Sequence, residues 1–213
     1  MNFSRYALLA VVVTALTACS TMKYNALEKV GIHKRDLLVS NVEDARDAQE
    51  EAQEQFKDAL EQFGSVVRIE NTDLKKAYDR LSDEYEDSAD AAEEVSEQIE
   101  DVENVAEDLF EEWAEEIEVY TDPNLERDSQ GKLRDTRARY SEMLRTMKDA
   151  EASMQPVLNT LRDNVLYLKH NLNAQAIGSL RTTFSALEND IENLVQRMNQ
   201  SIARSNEFIR TME

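Results

Sequence analysis

Apolar or small side chains recur along this chain in alternating steps of four and three, and four such runs can be followed. The first reads Leu38, Val42, Ala45, Gln49, Ala52, Phe56, Ala59, Phe63 and Val66. The second runs from Leu74 through Tyr78, Leu81, Tyr85, Ser88, Ala92, Val95, Ile99, Val102, Ala106, Leu109, Trp113 and Glu116 to Tyr120, with Ser88 and Glu116 its polar members. The third is Leu133, Arg137, Tyr140, Leu144, Met147, Glu151, Met154, Leu158, Leu161, Val165, Leu168 and Leu172. The fourth is Ile177, Leu180, Phe184, Leu187, Ile191, Leu194, Met198, Ser201, Ser205, Phe208 and Met212. A step averaging about 3.5 keeps one stripe turned toward a partner helix and favours left-handed supercoiled packing.

The breaks between runs carry turn chemistry. Asn71-Thr72-Asp73 can cap a new helix by accepting its free N–H groups, and Thr121-Asp122-Pro123-Asn124 stops the second helix because proline and the residue before it resist helical continuation. Asn171-Leu172-Asn173 marks the last turn, whereas Pro156 lies inside an unbroken stripe and predicts a bend. The expected fold is therefore all-α: an elongated antiparallel bundle with coiled-coil heptads and four long helices. A three-helix, spectrin-like arrangement with a loosely docked first helix is the alternative. Val157, Leu166, Tyr167, Val195, Ile202 and Ile209 broaden the last two stripes, which predicts that those helices sit deeper. Folding the second helix onto the third with Tyr120 opposite Leu133 sets Trp113 against Tyr140. It also sets Glu116 opposite Arg137, the predicted structural ion pair of that hairpin.

The first residues do not belong to this pattern. Arg5, the apolar run Tyr6 to Leu16, and Leu16-Thr17-Ala18-Cys19 have the order of a signal peptide, the run being too short for a stable membrane-spanning helix. Small residues before a cysteine resemble a bacterial lipobox, in which Cys19 becomes the lipidated first residue; an ordinary secretion signal with an incidental cysteine is the other reading. The expected organisation is a signal peptide over 1–18, a lipidated cysteine and tether over 19–36, and an acidic helical bundle over 37–213. Ser20, not aspartate, follows the cysteine, which by resemblance to lipoprotein sorting points to the periplasm and the inner leaflet of the outer membrane.

Composition agrees with long helices, since the chain has only four glycines and two prolines. Cys19 is its sole cysteine, so no internal disulfide can form. Charge is uneven: residues 19–126 carry 10 basic and 33 acidic side chains, whereas 127–213 carry 13 and 11. Nucleic acid is excluded as a partner, because binding it requires clustered cations. Between Arg80 and Arg127 lie 20 acidic residues and no lysine or arginine. Glu93, Glu97, Glu100, Glu111 and Glu112 form the candidate contact surface there, for an envelope protein with a basic surface or for self-association. A solvated face, or diffuse divalent-cation adsorption, are the competing readings.

Catalytic chemistry finds no foothold. His33 and His170 stand alone, without histidine or cysteine at metal-ligand spacing, and the nucleophile-elbow, zinc-protease, phosphate-loop and dinucleotide-binding patterns are absent. No enzyme, metal or cofactor is expected.

Three segments are distinctive: Val165-Leu166-Tyr167-Leu168-Lys169-His170-Asn171-Leu172-Asn173-Ala174-Gln175-Ala176-Ile177, Gly31-Ile32-His33-Lys34-Arg35-Asp36, and Asp83-Glu84-Tyr85-Glu86-Asp87-Ser88. They resemble an uncharacterised family of bacterial lipoproteins, domain-of-unknown-function family 2959. The resemblance implies a helical gammaproteobacterial envelope protein with no assigned activity and no catalytic residue to transfer. Lys169, His170 and Asn171 are its candidate motif site, although turn formation and capping account for them too. The expected role is a membrane-anchored coiled-coil spacer or docking scaffold; the alternative is a bundle that binds a small or cationic ligand, with Ala45, Ala52 and Ala59 as its cavity wall.

Overall fold

A computed structural model describes residues 34–68, 73–171 and 174–212. Cys19, the signal segment, most of the tether including His33, and the turn residues Asn71, Thr72, Leu172 and Asn173 lie outside the described residues. Four helices follow one another: α1 (Lys34–Arg68), α2 (Leu74–Glu118), α3 (Pro123–His170) and α4 (Ala174–Met212). At 1.5 Å per residue they measure about 52, 68, 72 and 58 Å. No strand occurs among the described residues.

α2 and α3 start where their capping chemistry allows. Asp73 accepts from the Lys76 amide ahead of α2, and Asp122 accepts from the Asn124 amide with Pro123 at the first position of α3. α3 then continues through Pro156 to His170. The helices pack in a ring, α1 on α2 and α4, and α3 on the same two. The molecule is thus an antiparallel four-helix bundle, and α1 is docked on both sides. None of the four helices lies deeper than the others. Leu166 and Tyr167, expected to broaden a buried stripe, are 48% and 37% exposed.

The α1–α4 pair follows its heptads closely. Every position of the first run is buried, as is every position of the fourth except the half-buried Phe184. Arg46–Asn206 and Gln53–Asn199 hydrogen bonds, both 3.2 Å, set the register, and Gly64 lies against the Phe184 ring. That register puts Gln49 and Ser201 at the same height, both wholly buried and without a hydrogen-bond partner for their side chains. Ala45, Ala52 and Ala59 are also wholly buried.

α3 departs from its predicted stripe. Thr136, Met143, Ala150 and Val157 are buried, while Arg137 is exposed and Leu144, Glu151 and Leu158 are half-buried. A helix in a ring faces two partners, so its buried arc is centred between two seams. A straight helix also drifts by about 20° per heptad against a 3.5 repeat.

Candidate functional site

Two features stand out, a cleft at one end of the rod and the outer surface of α2. α1 begins and α4 ends at the same height, where Arg35 donates to the Met212 carbonyl and Lys34 pairs with Glu112 of α2 at 2.9 Å. Beyond that height, among the described residues, only α2 and α3 continue, α2 reaching about 9 Å further to Glu118. The step from four helices to two leaves a cleft of about 1020 Å³. Trp113 forms part of its wall, half-buried, with its indole N–H donating to Ser129 Oγ at 2.8 Å. Cations (Lys34, Lys132, Arg139) and carboxylates (Asp36, Glu116, Asp135) surround it in mixture. At the tip itself Val119, Tyr120 and Leu125 are exposed.

Glu116 and Arg137 do not form the expected ion pair. Both are exposed, because the buried line at this end runs through Ile117 and Thr136. The Arg137 guanidinium instead donates to the Phe110 carbonyl at 3.0 Å and lies 5.4 Å from the centre of the Phe110 ring. Phe110 in turn packs edge-on against Tyr140 at 5.3 Å. Tyr140 therefore meets Phe110, just under one turn from Trp113, its expected partner. Burial, with Glu103 and Glu107 nearby, raises the Tyr140 phenol well above its ordinary range, so it stays protonated in this aromatic cluster.

The acidic surface lies where the sequence put it. Glu93, Glu97, Glu100 and Glu111 are exposed along α2. Glu112 is not part of that open face, since it is half-buried and held by Lys34. Of 18 carboxylates between Leu81 and Glu118, only Glu103 and Glu112 have an ion-pair partner among the described residues. No group of side chains suited to holding a metal ion occurs among the described residues.

At the opposite end, Lys169 and His170 are exposed in the last turn of α3, where cations suit the negative end of the helix dipole. Asn171 closes the helix: its side-chain amide donates to the Tyr167 carbonyl at 2.9 Å and its backbone N–H to Leu168 at 3.1 Å. Capping thus accounts for Asn171. The cause of the cleft, the different heights at which the described helices end, needed α1 and α4 to be placed against α2 and α3.

These features define an acidic four-helix rod with one stepped end. The chain belongs to the family of proteins of unknown function DUF2959, whose model matches residues 23–212. Neither a curated protein nor a solved structure matches the chain.

Proposed function

We propose that this protein is a non-enzymatic periplasmic lipoprotein, tethered through an acylated Cys19 to the inner leaflet of the outer membrane, and that it acts as a coiled-coil spacer or docking scaffold. The observation that supports this reading is the long exposed row of unpaired carboxylates on α2. Such like charges repel one another by about 0.2–0.5 kcal/mol per i,i+4 pair at low salt, and a basic partner would relieve that repulsion. Site-specific photo-crosslinking in living cells, with the probe at Glu97 or Glu111, tests it. A discrete adduct is the expected result; an α2 surface that captures nothing while the protein is present would sink the docking role. Acyl labelling that persists in Cys19→Ser would independently sink the anchor.

The stepped cleft favours a second reading, in which a small or cationic ligand sits against Trp113 between Glu116 and Asp135. Titration followed by Trp113 fluorescence tests this reading, and an unchanged spectrum with cationic ligands would count against it.

A further inference from the structure

The carboxylates on α2 have a matching surface on the same molecule. On α3, Arg127, Arg134, Arg137 and Arg145 succeed one another at helical spacing and are all exposed. Among the described residues none of the first three has a carboxylate partner, and Arg145 has only its neighbour Asp149 one turn away, at 3.0 Å. On α2, Glu107, Glu111, Glu115 and Glu118 form an equivalent exposed row, and none of them has an ion-pair partner among the described residues. The two rows lie side by side on the face that α2 and α3 share. Only the Glu103–Lys148 contact, at 2.7 Å, ties the carboxylates of one helix to the cations of the other. Complementary charge of this extent is left unused within one molecule.

We propose that this face is the contact surface for a second copy of the chain, related by a two-fold axis parallel to the rod. The proposal rests on the docking reading above and names its partner. A two-fold along the rod sets α2 of one copy against α3 of the other, twice, so each acidic row meets a basic row. An axis across the rod would instead set α2 against α2 and oppose carboxylates to carboxylates, so charge selects the parallel arrangement. The heights fit. Within one molecule Glu103 is level with Lys148 and Phe110 with Tyr140, so Glu107 would stand near Arg145 of the second copy and Glu111 near Arg137. Glu115 would likewise stand near Arg134. Both copies then begin α1 at the same end, as two chains tethered to one membrane must. The contact is mainly ionic and is weakened by salt, with a screening length of about 8 Å at physiological ionic strength.

Two differently tagged full-length copies, one carrying Glu111→Cys and the other Arg137→Cys, are co-expressed, and a short thiol crosslinker is applied to intact envelopes. Copies without the added cysteines report any background from Cys19. A mixed-tag adduct is expected, several times stronger than that between two Glu111→Cys copies, whose thiols would lie diagonally across the axis. Glu115→Lys in both copies should cut it by about fivefold or more, because each reversal acts at two symmetry-related pairs, and adding Arg134→Glu should restore it. A dominant adduct between two Glu111→Cys copies would overturn the parallel two-fold. Adducts from Glu111 to a different envelope protein, with none between copies, would overturn self-association and leave the docking reading standing. No adduct of either kind would defeat both.

Discussion

The two ends of the rod are built from the same heptad alphabet and finished differently. At the end that holds the α3–α4 turn, Phe63 and Phe184 stack at 6.1 Å, the Arg68 guanidinium lies 5.8 Å from the Phe184 ring centre, and Arg181 donates to the Val67 carbonyl at 2.6 Å. Leu168 and Leu180 are wholly buried there. At the stepped end, among the described residues, α1 and α4 stop short of α2 and α3. Trp113 is left half-buried at an open cleft, and single polar contacts such as Trp113–Ser129 and Arg137–Phe110 take the place of a filled core. Equal seams with unequal helix lengths thus give, among the described residues, one filled end and one stepped end.

Truncation at the filled end should show the largest effect. Phe63→Ala removes a fully buried ring and should cost about 3–5 kcal/mol in chemical denaturation, whereas Trp113→Phe should cost only about 1 kcal/mol, the indole hydrogen bond being its main loss. A Trp113→Phe loss as large as that of Phe63→Ala would show that the stepped end is as tightly packed as the other. Gly178→Ala should raise stability by about 0.5–1 kcal/mol through helix propensity, since a new Cβ there meets nothing within 4 Å.

Glu84 gives a smaller, pH-dependent effect. Burial raises its carboxyl above the ordinary range, with Asp87, Asp58 and Asp83 adding to this and the Gln55 hydrogen bond opposing it. A raised carboxyl binds its proton more tightly folded than unfolded, so its ionisation lowers stability as pH rises through the carboxylate range. Glu84→Gln should therefore stabilise by a few tenths of a kcal/mol at neutral pH, and the gain should vanish in acid. Smallest of all, a double-mutant cycle on Glu116 and Arg137 should return a coupling near zero.

The legible part of this molecule was its periodic part. In α1 and α4 the stripe read from the sequence is the buried stripe, down to the polar Gln49, Ser201 and Ser205. The cap at Asp73 and the stop at Thr121-Asp122-Pro123-Asn124 were equally readable, because they depend on neighbours in the chain. The hairpin register came within one turn, yet that turn removed the Glu116–Arg137 pair. A 4-3 rhythm identifies a face but leaves its centre uncertain by one position, and at a helix end one position separates buried Ile117 from exposed Glu116. The row of carboxylates was visible in the sequence; the neighbouring row of arginines was not, since their alignment depends on which arc of α3 faces outward.

The clasp between Arg35 and Met212 also orders assembly in time. Its partners are separated by 177 positions, so it joins the first turn of α1 to the last turn of α4. The α1–α2, α2–α3 and α3–α4 hairpins can each close across a short loop as the chain emerges, whereas the α1–α4 seam must wait for the final helix and for the costliest loop closure. Until then the flank of α1 that carries Arg46, Gln53 and Gly64 has no lid. Any factor that meets the rod before α4 docks meets it as an open three-helix trough, and α4 is the element that shuts it.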